Sequence, residues 1–196
     1  MKSINALIIG AGGIGSWLTS IIDRLDTYDQ VNNCVFTIAD FDTVENKNLP
    51  YQNFDEDEIF DSKSLSLSSK FNVKGLSKKI DCFDDLDPYD LIVCAVDSAS
   101  TRKLVFEYCE ENKDTYFIDL RSEGQGVYCI TSEADYTLKQ LKDTLDGSEN
   151  GSCQLAHELD DNIIQLGNRI IASIGAQLIL NYIRDDINIG TFNHRF

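Results

Sequence analysis

The sequence predicts an α/β fold, a mainly parallel central sheet with helices on its faces. Apolar runs at 5–9, 35–39, 91–96 and 116–120 alternate with helical patterns at 13–27, 62–71 and 98–112. That alternation is expected when each parallel strand returns through a crossover helix. A glycine turn, Gly10-Ala11-Gly12-Gly13-Ile14-Gly15-Ser16, follows directly on the first run, Ala6-Leu7-Ile8-Ile9. Such a turn joins a strand to a helix that begins at a ligand.

The first unit is the most informative. Glycines let the backbone turn tightly and approach a phosphate with no side chain in the way. A helix opening at Gly13 then aims free N–H groups and its positive dipole end at the anion. Trp17, Leu18, Ile21, Ile22 and Leu25 give that helix an apolar stripe. The second run, Val35 to Ala39, ends in Asp40, at the distance from the turn where an acid would accept hydrogen bonds from ribose hydroxyls. Strand, turn, helix, strand and acid together predict a Rossmann-like nucleotide-binding edge; the glycine pattern alone would serve equally to pack a helix on a sheet.

The rest of the chain reads more plainly. Residues 40–61 form an acidic loop, in which Asp55-Glu56-Asp57-Glu58 reads as a solvated surface run. Residues 74–82 are a polar candidate strand ahead of the turn Asp84-Asp85-Leu86-Asp87-Pro88. After Asp119 the texture changes: 124–131 reads as another strand, 138–145 as a helix, and 146–152 as a Gly/Ser loop ending at Cys153. Residues 155–183 are one long helical pattern, apolar nearly all round in its middle, as in a buried core or interface helix. Residues 191–196 make a short final strand, so that a few antiparallel strands are expected toward the C-terminus. With no internal repeat and no dividing linker, residues 1–196 are expected to form a single domain.

Composition narrows the function classes. The 196 residues are 42% hydrophobic and 10% aromatic, ordinary for a globular chain with a substantial core. Seventeen basic against thirty-three acidic residues give a formal charge of −16. That charge repels phosphate backbones and anionic lipid, which argues against nucleic-acid and membrane binding and would attract a basic partner. The six cysteines are scattered with no Cys-x-x-Cys, so neither a structural zinc site nor a disulfide framework is expected. The setting reads as reducing and cytoplasmic. No stretch approaches the roughly 20 apolar residues of a membrane helix, and the N-terminal run is too short for a signal peptide.

Past Asp40 the pattern becomes specific. The chain carries Gly-x-Gly-Gly-Ile-Gly-Ser at 10–16 and Asp-x-Asp-x-Val-x-x-x-Asn-Leu-x-x-Gln through Asp40, Asp42, Asn48 and Gln52. Lys63 follows, and Val96-Asp97-Ser98-Ala99-Ser100-Thr101-Arg102 stands after a strand. In these motifs and their order the chain resembles the ThiF/MoeB and ubiquitin-activating-enzyme superfamily over nearly its whole length. Cys153 and the helix carrying Ile174-Gly175-Ala176-Gln177 extend the likeness. The resemblance implies adenylation: magnesium-dependent use of ATP to activate the C-terminal carboxylate of a small ubiquitin-like or sulfur-carrier protein, or of a peptide. It implies that Gly10, Gly12, Gly13 and Gly15 cradle phosphate, that Asp40 and Asp42 serve the ribose side, and that Asn48 and Gln52 organise the phosphate region. Lys63 would neutralise the triphosphate and Asp97 would hold Mg2+. Taken alone, Lys63 also reads as an exposed helix-start lysine, Asp97 as a helix N-cap, and Arg102 as a structural arginine.

Departures matter as much as matches. The family usually has an N-terminal segment with an arginine that reaches a partner subunit's site, whereas this chain starts almost on its first strand; a second family arginine is replaced by Tyr51. Lys47, Arg121 or a partner's basic residue are the candidate replacements. Cys153, at a probable helix start, reads either as a lowered-pKa thiol that receives the acyl group or as a small buried residue. The other five cysteines read as core and His157 as structural, while His194 near the C-terminus is uninformative. The leading expectation is an adenylyltransferase working as a homodimer or hetero-oligomer. The alternatives are a weakened partner subunit or pseudoenzyme that recruits protein, and an NAD-dependent oxidoreductase.

Overall fold

Alternation along the first strand sets the layers. The computed structural model describes residues 3–26, 29–145, 161 and 163–196. In β1 (Ile4–Ile9) the side chains of Ala6 and Ile8 enter one buried cluster and those of Leu7 and Ile9 another, so the strand is covered on both faces. β4 (Leu91–Cys94) repeats this, with Leu91 and Val93 on the first face and Ile92 and Cys94 on the second. Fully buried β-branched and leucine side chains are worth about 1.5–3 kcal/mol each, which is why parallel strands read as unbroken apolar runs.

The first face carries α1 (Gly15–Asp26), α2 (Lys63–Lys70) and α5 (Gly167–Arg184) through Leu18, Ile22, Leu67, Ile171 and Ile179. The second carries α3 (Ala99–Glu111) and α4 (Leu138–Asp143) through Val105, Phe106 and Leu141. β2 (Cys34–Ala39) pairs with β1, and β3 (Lys74–Leu76) closes that edge. β5 (Tyr116–Glu123) joins β4 in parallel; β6 (Gly126–Thr131) and β7 (Thr191–Arg195) continue antiparallel. The strand order is β3-β2-β1-β4-β5-β6-β7. The predicted sheet, parallel with antiparallel C-terminal strands, is therefore observed.

Several boundaries differ from expectation for physical reasons. The long C-terminal pattern is helical only from Gly167 among the described residues, because 163–166 are irregular and Ile163 and Leu166 are exposed. The helix begins where Gly167 passes the Gly124 carbonyl, which a Cβ would meet at 2.4 Å, and where the Asn168 amide is held by backbone carbonyls. β3 keeps three residues of the expected 74–82, since only Lys74–Leu76 find partners on β2. α3 is capped by Ser98, whose hydroxyl accepts the Thr101 N–H, rather than by Asp97. The acidic tetrad is not wholly solvated: Glu58 is buried, accepts the Asp55 N–H at 2.6 Å and pairs with Lys70 at 2.5 Å. Nor are all the remaining cysteines core, because Cys82 is exposed and Cys34 only half-buried. The expected loop 146–152, Cys153 and His157 lie outside the described residues.

Candidate functional site

The strand order reverses between β1 and β4, and a crevice opens at their C-terminal ends, the position where open α/β sheets bind ligands. Both strand ends are held in close contact. Gly10 has φ +99°, and a Cβ there would lie 2.7 Å from the Ala95 carbonyl oxygen. Gly15 sits beneath the turn, where a Cβ would come within 1.8 Å of the Gly10 oxygen. Gly12 has nothing within 4 Å of its Cβ position and opens on the crevice. The glycines thus divide their work: Gly10 and Gly15 make the turn, while Gly12 and Gly13 leave room over it.

The resulting cleft has a volume of about 1080 Å³. Gly10, Gly12, Gly13, Asp40, Asp42, Asn48, Gln52, Lys63 and Asp97 all line it. Gly15 does not, since it packs beneath the turn against the Gly10 carbonyl. Asp40 closes the end of β2 and fixes the turn, its carboxylate accepting the Ala11 N–H at 2.6 Å and the Asp42 N–H at 2.8 Å. Burial raises the Asp40 pKa above the ordinary carboxylate value, although both amides and the Lys63 charge pull it down. Lys63 is not the exposed helix-start lysine that its sequence context permits. It is buried on the cleft wall, with Nζ 3.4 Å from Asp42.

The facing wall is the segment from Glu45 to Gln52. Asn48 folds it, accepting the Glu45 N–H at 2.9 Å through its side-chain oxygen. Tyr51 is buried, and its backbone oxygen accepts from Trp17 Nε1 at 3.0 Å and Asn168 Nδ2 at 2.7 Å. The same Asn168 nitrogen reaches the Gly13 oxygen at 3.0 Å, which ties the glycine turn, the Tyr51 segment and α5 together. Gln52 is buried with its Oε1 unpartnered. Asp97 is exposed at the cleft edge and makes no hydrogen bond or ion pair with the described residues.

On the β5 side the two arginines are committed to structure. Arg102 pairs with the fully buried Asp119 and donates to the Val96 and Leu120 carbonyls. Arg121 binds Asp119 at 2.7 Å and the Thr144 carbonyl at 2.8 Å, and lies 5.2 Å from the Tyr128 ring centroid. Sequence reasoning missed Lys78, Lys79 and Ile80, which line the cleft after β3. Their polar, irregular context gives no periodicity that could have marked them.

Two further groups bear on chemistry. Among the described residues, Asp81, Cys82 and Asp85 form the one cluster of close metal-ligand types, but Lys78 occupies Asp85. Burial raises the pKa of Cys34 and Cys109 to about 12 and of Cys129 to about 11, and raises that of Cys94 as well. These four therefore remain inert thiols. No helix among the described residues is long and apolar enough to cross a membrane.

The model of the ThiF family matches residues 1–195. The chain belongs to the ThiF family. No curated protein matches it by sequence. Among solved structures, this ThiF-family chain is similar to E. coli MccB crystallised with succinimide, at TM-score 0.67 and 18% identity, covering 98% of this chain and 63% of that one. It is similar to E. coli MccB with ATP, at TM-score 0.65 and 16% identity over 99% of this chain and 64% of that one. It is also similar to PaaA, at TM-score 0.68 and 14% identity over 98% and 61%. This chain thus spans less than two thirds of the length of these structures.

Proposed function

We propose that the chain is an ATP-dependent adenylyltransferase whose residues 1–196 act as one adenylation domain on a peptide or small-protein carboxylate. The observation that carries the reading is the meeting of an open glycine turn, a buried lysine and an unpartnered acid around one cleft. The ThiF family match and the crystal structures of MccB with ATP and with N-formylated MccA support it.

The chemistry asks for these groups. A carboxylate oxygen forms a bond to the α-phosphorus of ATP while the bond to the β-phosphate oxygen breaks and its electron pair leaves with pyrophosphate. Two anions must meet, so positioning and charge neutralisation supply most of the catalysis. Gly12 and Gly13, in the turn just ahead of α1, offer backbone amides beside the positive helix end to phosphate. Asp40 receives the ribose hydroxyls while it continues to hold the turn. Asn48 and Gln52 bind along the phosphates, each through its side-chain amide N–H donors. Lys63, with a single contact to Asp42 at 3.4 Å, presents a desolvated ammonium. Asp97, exposed and uncommitted, suits a magnesium ion, which when bound would withdraw charge from the triphosphate. The reading includes onward passage of the acyl group to Cys153.

A second reading, a nucleotide-binding subunit without turnover, is favoured by the commitment of Arg102 and Arg121 to Asp119. ATP–pyrophosphate exchange with peptides that end in a free carboxylate separates the two. Adenylation predicts carboxylate-dependent exchange that falls at least ~100-fold in Asp97→Ala, a loss typical of removing one transition-state contact. Exchange by the unaltered chain that never exceeds the Asp97→Ala background leaves the binding subunit.

A further inference from the structure

We infer that Lys47 is the cation for the outer phosphates of the nucleotide, placed there by the rigid segment that faces the glycine turn. The inference rests on the ATP reading above and assigns one of its contacts. Four of the six cleft cations are otherwise engaged, and Lys79 stands with Lys78 on the segment after β3, beyond the β2 end rather than on the 45–52 wall. Arg102 and Arg121 hold Asp119, Lys78 holds Asp85, and Lys63 faces Asp42 from a buried position. Lys47 also lines the cleft, but its side chain is 68% exposed and its ion pair is to Glu45, two residues away, at 3.0 Å.

Position distinguishes Lys47 from a surface lysine. Asn168 Nδ2 touches both the Gly13 oxygen, at 3.0 Å, and the Tyr51 oxygen, at 2.7 Å, so the 45–52 wall stands beside the anion cradle. A nucleotide with its ribose at Asp40 and its first phosphate over Gly12 and Gly13 extends its outer phosphates toward that wall. The wall itself is fixed. The Asn48 N–H donates to the Glu45 oxygen at 2.8 Å, the Gln52 N–H donates to the Asn48 oxygen at 2.9 Å, and Trp17 and Asn168 hold Tyr51. The buried side chains of that wall, Asn48, Tyr51 and Gln52, supply no cation. Lys47 therefore offers a mobile four-carbon stem and a compact charge on an immobile base, the arrangement that lets a lysine follow a polyphosphate.

The resting contact is easily given up. An exposed Lys–Glu pair is worth little in water, so exchanging Glu45 for a more highly charged polyphosphate costs little. Glu45, with Tyr51 and Asp42 behind it, raises the Lys47 pKa, so the ammonium persists throughout the physiological range.

The test is equilibrium binding of ATP, ADP and AMP to the unaltered chain, Lys47→Ala and Lys47→Arg, with thermal melts to confirm folding. Lys47→Ala should weaken ATP about tenfold, ~1.4 kcal/mol, while changing AMP less than about twofold. Lys47→Arg should keep the ATP affinity. Equal losses for ATP and AMP, no loss for ATP, or failure of arginine to replace lysine overturns the inference. Those outcomes differ from failure of the ATP-binding reading on which the inference rests, in which the unaltered chain binds neither ATP nor AMP.

Discussion

At the scale of single residues, the site is a set of groups that each give up something to be there. Asp40 is the plainest case. Burial raises its pKa in the folded state, which means that the carboxylate is costlier inside than in the unfolded chain. A raised folded pKa gives a stability contribution that is complete below the unfolded pKa and is lost as pH rises through the folded one. Asp40→Asn does not titrate. Its melting temperature should therefore gain on that of the unaltered chain as pH rises from the ordinary aspartate value of about 4 through the raised folded one, while its affinity for a ribonucleotide falls. A melting-temperature difference that stays flat over that interval, measured by calorimetry, contradicts this account of Asp40. Strand-end position pointed to Asp40, and the family resemblance to Asn48, Gln52, Lys63 and Asp97, all of which line the cleft. They could not reveal that Lys63 is buried, because that depends on how the loop 40–62 folds back on itself at Thr43 and Ser62, nor which of the adjacent Asp97 and Ser98 caps α3.

At the scale of elements, the glycine turn shows why one motif holds two kinds of glycine. The pattern at 10–16 was legible because strand, turn and helix stand in contiguous sequence. The division of labour within it was not, because it is set by the approach of Ala95 from another strand. Gly15→Ala forces a Cβ into the Gly10 carbonyl, and should destabilise the fold by about 3 kcal/mol or more, as expected when backbone has to shift. Gly12→Ala meets nothing within 4 Å. It should leave stability within about 0.5 kcal/mol, yet weaken nucleotide binding because the methyl group occupies the cradle. Chemical denaturation of both variants beside ATP titration checks the contrast, and equal stability losses would contradict it. α5 teaches the opposite lesson. The apolar run at 155–183 suggested one uninterrupted helix, but Ile163 and Leu166 are solvent-facing, and the helix starts at Gly167 and Asn168 through contacts with Gly124, Gly13 and Tyr51. Periodicity cannot report contacts made across more than a hundred residues of sequence.

At the scale of the whole molecule, the sheet brings the ends of β1, β2, β4, β5 and β6 to one cleft, and Asn168 locks α5 to two of its walls. The α/β class was legible from hydrophobic runs, since a parallel strand covered on both faces is built mainly from apolar residues. The outer parts of the cleft, Lys78 to Ile80, were not, because they belong to an irregular connection whose place is fixed by Ile80 and Leu86 entering the core. A formal charge of −16 would by itself repel ATP, so binding has to come from the local arrangement of amides, lysine and metal. The central claim is that Gly12, Gly13, Lys63 and Asp97 act on one triphosphate. Calorimetric titration with ATP, in the presence and absence of magnesium, tests it most directly on the unaltered chain and Asp97→Ala. The account predicts one ATP per chain, bound more tightly with magnesium, and loss of that magnesium enhancement in Asp97→Ala; ATP binding that is indifferent to magnesium and to Asp97, or NAD binding in place of ATP, contradicts it.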